Sequence, residues 1–258
     1  NNSFIYSALI KNKLPNYWGK LEADQKNKYR EQLMELIFAV PDIDNHISYD
    51  LIHALCYIAA YDWPEDFPNF SDVILPSENS QTIKTSIRIL SSFMEEVDST
   101  NIITDQRRNN LRQTIIANLH EKIMEIIRNY ITEEEYSVDV LNICNYLLRW
   151  GSTEDIVDFE LFQKLACEFI ANEKTCKNAV QCLTTIFISR TDSAIAFRTL
   201  SPFLANALSK GVFPNQKPVT SDHDVIRFLL KFLFEYSTIL ELVLNYDDAK
   251  NDSKVNYL

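Results

Sequence analysis

The sequence predicts an all-α chain, an α-solenoid of HEAT-like antiparallel helical hairpins. Three observations carry that expectation. Only 3 of 258 residues are glycine, where average usage of about 7% would supply ~18. Nucleotide-cradling loops and the tight turns of all-β folds need the positive φ of glycine, so most such folds are excluded. Apolar residues recur at spacings of three and four along the whole length, without convincing strand alternation. The first helices of successive hairpins start near 48, 78, 133, 175 and 221, about 43 residues apart on average, within the range of roughly 40–47 for HEAT and armadillo units. The gaps are uneven, so the repeat is degenerate and a compact helical bundle is the alternative.

The elements follow in order. Residues 1–11 read as part of an amphipathic helix, and no basic stretch precedes an apolar one there, so no signal peptide is expected. Over 22–40, Tyr29, Leu33, Leu36, Ile37 and Val40 share a face, and Pro41 stops the helix. A helix over 48–62 takes Ser48 as its N-cap and buries Leu51, Leu55, Ile58 and Ala59. Helix 79–97 presents Ile83, Ile87, Leu90, Met94 and Val97. Helix 104–130 starts at Thr104 and is the longest, with Leu111, Ile115, Leu119, Ile123, Ile126 and Tyr130 as its stripe. Helix 133–150 carries Tyr136, Val140, Ile143 and Leu147 and ends before Gly151, read as a C′ glycine. Glu133, Glu134 and Glu135 then fall in its first turn, where the helix macrodipole favours negative charge.

Further helices are expected over 157–171 (Phe159, Phe162, Leu165, Phe169) and 176–189 (Val180, Leu183, Ile186, Phe187). Two more follow over 193–209 (Phe197, Leu200, Leu204, Leu208) and 221–245. Gly211, Pro214 and Pro218 mark a loop at 210–220, and 247–258 is a polar tail. No linker divides the chain, so residues 1–258 read as a single solenoid segment.

Lys+Arg 25 against Asp+Glu 36 gives a net charge of −11. Nucleic-acid binding needs lysine and arginine to neutralise phosphates, so no direct nucleic-acid partner is expected. Segment 225–244 is the most hydrophobic, yet Arg227, Lys231, Glu235 and Glu241 interrupt it, which argues for an amphipathic helix rather than a membrane span. Cys56, Cys144, Cys167, Cys176 and Cys182 are odd in number and show no C-x-x-C spacing; buried free thiols in a reducing compartment are expected. The sequon at Asn69, Phe70 and Ser71 is read as coincidental.

The catalytic census is short. His46, His53, His120 and His223 are scattered, and His120–Glu121 lacks the second histidine of a zinc motif because position 124 is Met. His53 and Cys56, three apart on one helix, read as a surface histidine beside a core cysteine, not a nucleophile–base pair. The chain is therefore read as a binding scaffold: no enzyme, no cofactor, no metal.

The most specific string runs from Tyr61 to Ile74 and contains Trp63-Pro64 and Phe67-Pro68. Pro64 ends the preceding helix, because the residue before proline is pushed out of the α region. Pro68 suits the first turn of a short following helix, and Trp63, Phe67 and Phe70 can fill the corner between the two. The string resembles the W-P-x-x-W-P signature of exportins in the importin-β (karyopherin) superfamily, with Phe67 in place of the second Trp. Three further stretches are similar and in the same order: 89–97 ending in Glu95-Glu96-Val97, 146–150 ending in Trp150, and 178–186 around Cys182-Leu183-Thr184. The nearest type is the exportin for leucine-rich nuclear export signals; residues 105–123 are also similar to the exportin for small structured RNAs.

The resemblance implies an N-terminal fragment of a receptor about four times longer, with five or six repeats and the cargo groove outside this sequence. It implies nuclear export with Ran-GTP, export-signal cargo proteins and nucleoporins as partners, and shuttling between nucleus and cytoplasm. An import receptor or another HEAT scaffold is the alternative. Helices 22–40 and 104–130 are second helices of their hairpins, which the family places on the concave Ran-binding side. Their exposed polar residues, Lys28, Glu31 and Glu35 on the first and Gln113, Glu121 and Arg128 on the second, are the candidate Ran contacts.

Overall fold

The computed structural model describes residues 14, 16–39, 45–75, 80–99, 103–151, 160–161, 164–165 and 168–189. The segment 1–11, the helices at 193–209 and 221–245, the loop at 210–220, the tail 247–258, and Val40, Phe159, Phe162 and Cys167 lie outside them. The described chain is all-helical, as the spacing predicts. It forms two compact units, Asn1–Tyr146 and Leu147–Leu258. Among the described residues no helix is long and apolar enough to cross a membrane.

The first unit holds a 3-10 turn at Trp18–Lys20, then α1 Ala23–Ala39, α2 Asn45–Asp62, α3 Phe70–Ile74, α4 Ser80–Ser99 and α5 Asp105–Tyr130. Helix α6, Ser137–Trp150, follows, and the two units divide inside it. Helices α2 and α4 form the centre. From Leu51 to Ala60 every residue of α2 except His53 is buried, and from Ser86 to Met94 every residue of α4 except Arg88. Helices buried all round need neighbours on several sides. Helix α4 packs on α2 and is also covered by α1, α3 and α5. Full burial of side chains such as Ile58, Phe70, Ile87 and Phe93 stabilises the unit by about 1.5–3 kcal/mol each. The amino-terminal half of α1 meets the carboxyl end of α2 through Arg30 and Asp62. The carboxyl end of α4 meets the first turns of α5, where Arg108 Nε donates to the Val97 carbonyl at 3.2 Å. Both pairs therefore run antiparallel.

Several boundaries differ from the sequence reading. Helix α2 begins at Asn45, so Ser48 lies inside it and caps nothing. Thr104 does cap α5: its side-chain oxygen accepts from the Arg107 N–H at 3.2 Å. Helix α6 starts at Ser137, and Glu133–Glu135 form the preceding turn instead of a first helical turn. Gly151 continues the helical bonding, its N–H donating to the Leu147 carbonyl at 2.8 Å. No glycine among the described residues has positive φ, so Gly151 is not a left-handed C′ residue. On α1 the buried positions are Arg30, Leu33 and Ile37, whereas Leu36 is 49% exposed. In the second unit, α7 spans Cys176–Ser189, the bounds expected, and packs on a 3-10 turn at Phe169–Ala171. Thr175 joins the two, its hydroxyl donating to the Phe169 carbonyl at 2.8 Å.

Candidate functional site

The corner after α2 is tied by aromatic packing from α4 and by two arginines. Helix α2 ends at Asp62, and the Trp63–Pro64 peptide is cis. Pro68 stands one residue before Asn69, the N-cap of α3, and so just outside the first turn where it was expected. Trp63, Phe67 and Phe70 are buried. Trp63 and Phe70 meet Phe93 of α4 edge-on, at 5.8 and 4.9 Å between centroids, and Phe67 packs on Phe70 at 5.3 Å. Edge-to-face packing of this kind adds about 0.5–1.5 kcal/mol per pair to simple burial.

Two arginines that the sequence did not single out clamp this corner. Arg107, in the first turn of α5, donates to the carbonyls of Ala60 at 3.3 Å and Tyr61 at 3.2 Å, and also to that of Trp63. Its Nη1 reaches both carboxylate oxygens of Glu65, at 3.1 and 2.9 Å. A cation at a helix carboxyl end satisfies carbonyls left without intrahelical donors. Desolvation pushes the Glu65 carboxyl up, but its own backbone N–H and Arg107 outweigh this and hold it below its ordinary value.

On the other side, Arg30 is buried, pairs with Asp62, and donates to the Asp66 carbonyl at 2.7 Å. Trp18 Nε1 donates to the same Asp62 carboxylate at 2.8 Å, and Lys26 stands 3.6 Å from it. The Arg30 guanidinium lies 4.8 Å from the Phe67 ring centroid. Buried charges persist when paired and hydrogen-bonded in this way.

The candidate partner residues are all exposed. Lys28, Glu31 and Glu35 stand on one stripe of α1, opposite Leu33 and Ile37. Gln113, Glu121 and Arg128 form a second stripe on α5. Among the described residues no hydrogen bond or ion pair joins the two stripes. Glu121 has His120 Nδ1 at 3.6 Å.

Other titratable groups include two buried thiols and two ion pairs between α4 and the start of α6. The Cys56 thiol donates to the Ile89 carbonyl at 3.6 Å, and burial, with Glu96 and Glu95 nearby, pushes its pKa well up. Burial pushes the Cys176 thiol up to about 11. Thiols so raised are inert as nucleophiles at neutral pH. Lys84 and Arg88 of α4 face Glu135 at 2.5 Å and Asp139 at 3.9 Å. Hydrogen bonding from Lys84 holds Glu135 below its ordinary value, whereas burial raises Asp139 against the pull of Arg88 and Ser91. Among the described residues no three His, Cys, Asp or Glu side chains are grouped to hold a metal ion.

Compared with known proteins, residues 44–183 match the sequence model of a family described as Exportin 1-like protein. The match runs from the start of α2 into α7 and covers more than half of the chain. No curated protein matches the chain.

Proposed function

The chain belongs to the Exportin 1-like protein family, and on that premise we propose that it is a binding segment of a karyopherin-type receptor that exports proteins from the nucleus. In this reading it binds Ran-GTP through the exposed stripes Lys28, Glu31 and Glu35 on α1 and Gln113, Glu121 and Arg128 on α5. The receptor carries cargo bearing leucine-rich export signals past the nucleoporins and shuttles between nucleus and cytoplasm. The chain catalyses nothing and holds no cofactor. Directionality comes from the partner's GTP, through a coupling free energy between Ran and cargo binding.

The family match is the observation that carries this reading. The polar character of both stripes supports it, because charged and amide side chains suit a reversible contact with a GTPase. The test is capture of Ran on the immobilised protein, with Ran loaded with GTP or GDP. Binding of the GTP form alone is expected, and the double variant Glu31→Lys/Glu35→Lys weakens it. Equal capture of both forms, or of neither, would remove the transport reading. Unchanged affinity in a folded double variant would remove α1 from the interface and leave the reading otherwise intact.

A further inference from the structure

We propose that Arg30 and Arg107 are positioning residues for partner binding. Both grip the turn at 62–66, and together they fix α1 against α5 and hold the two exposed stripes in the relation that one partner engages. The proposal rests on the reading of those stripes as contacts of a single partner, and it adds what sets their spacing.

The first argument is connectivity. Helix α1 packs on α2 and α4, and α5 packs on α4. Among the described residues no hydrogen bond or ion pair runs from α1 to α5. What they share is the turn after α2. From α1, Arg30 pairs with the Asp62 carboxylate and donates to the Asp66 carbonyl at 2.7 Å. From α5, Arg107 donates to the carbonyls of Ala60, Tyr61 and Trp63 and to the Glu65 carboxylate. Within five residues, Asp62 and Asp66 thus serve α1, while Trp63 and Glu65 serve α5. The turn itself has little slack: the Asp66 N–H donates to the Asp62 carbonyl at 2.7 Å, and Trp63 and Phe67 are buried. Hydrogen-bonded networks joined to rigid helices pass a displacement on instead of absorbing it.

The second argument is the choice of side chain. The open carbonyls at a helix carboxyl end can be satisfied by water, so closing α2 does not require a cation that also reaches a carboxylate. Arg107 does both, because a guanidinium offers five donors in a fixed plane. Lysine keeps the charge but presents three donors from one point, and it cannot span acceptors from Ala60 to Glu65. The side chains of Arg30 and Arg107 are 5% and 22% exposed, so water competes little for either grip. A surface already held in its bound arrangement binds more tightly, since little ordering remains for the moment of association.

The experiment compares amide hydrogen exchange and Ran-GTP affinity in the full chain, Arg107→Lys, and Arg112→Lys as the control. Arg112 also leaves α5, but its ion pair is with Asp98 of α4 and not with the corner. Arg107→Lys should speed exchange at 60–66 and 105–110, as any structural role would, and also along α1, which Arg107 does not bond. It should weaken Ran-GTP binding about tenfold, an ordinary size for coupling between sites. Arg112→Lys should leave α1 exchange and affinity unchanged. Arg30→Lys should act in reverse, speeding exchange at 105–110. Exchange in α1 unaltered by Arg107→Lys, or altered equally by Arg112→Lys, overturns the proposal. So does faster α1 exchange with unchanged Ran-GTP affinity. If the unmodified chain captures no Ran-GTP, the transport reading fails, and exchange in α1 still decides whether the corner ties the two helices. If an arginine variant fails to fold, Glu65→Gln, an exposed change, decides: unaltered α1 exchange there overturns the proposal equally.

Discussion

Arg30 occupies a position on α1 that, by spacing, belongs to the apolar stripe of Leu33 and Ile37. Its charge disguises it as a solvent residue, and partners far along the chain, the Asp62 carboxylate and the Asp66 carbonyl, make burial tolerable. Arg107 is similar: nothing local reveals that it closes the end of α2. Glu65, its carboxylate partner, is held below its ordinary value of 4.5. A depressed carboxyl contributes stability that is present above 4.5 and lost as pH falls through its folded-state value. Glu65→Gln should therefore lower Tm slightly at neutral pH, and the gap to the unmodified protein should close on acidification below about pH 4. Melting curves across that range check it; a gap that widens in acid would count against the pairing. Trp63 was legible as a corner residue from its neighbouring prolines, and it is 3% exposed against Phe93. Trp63→Ala should cost about 3–5 kcal/mol in urea unfolding, as other large-to-small core changes do. Unchanged stability with lost partner binding would mean the ring serves a ligand and not the core.

At the scale of elements, existence was easier to read than boundaries. Thr104 marks the start of α5 correctly because its hydroxyl meets the Arg107 N–H. Thr104→Ala should destabilise the protein by about 1 kcal/mol, the usual cost of a lost N-cap, readable as a shift in urea midpoint without a change in slope. Ser48 carries the same chemistry, yet α2 runs back to Asn45. Nothing between Asn45 and Ser48 breaks a helix, so a capping residue there does not compel a start. Helices α2 and α4 are misjudged in another way. Their best stripes suggest one-sided burial, but Ile89 and Phe93, off the stripe of α4, are fully buried as well. One helix seen alone cannot show how many neighbours will cover it.

At the scale of the whole molecule, the first unit carries its own core, from Trp18 and Leu55 through Phe93 to Ile115. Residues 1–151, which keep α6 intact, should therefore fold alone, with a helical circular dichroism spectrum and a cooperative urea transition. Solenoid stability is approximately a sum of repeat and interface terms, so loss of the remaining chain should lower stability by degrees. A spectrum without helix would contradict both the core and the additivity. The sequence by itself determined the all-α class, the α5 stripe, the aromatic corner and the family, because a 3.6-residue period and a run of aromatics and prolines are local properties. Tertiary structure alone decided which charges are buried and what they hold. Arg30 on Asp62 and Arg107 on the end of α2 join residues 32 to 47 positions apart. Such contacts depend on how helices pack, and the energy of a charged side chain is fixed by the dielectric and the partners it meets there, not by the residues beside it in the chain.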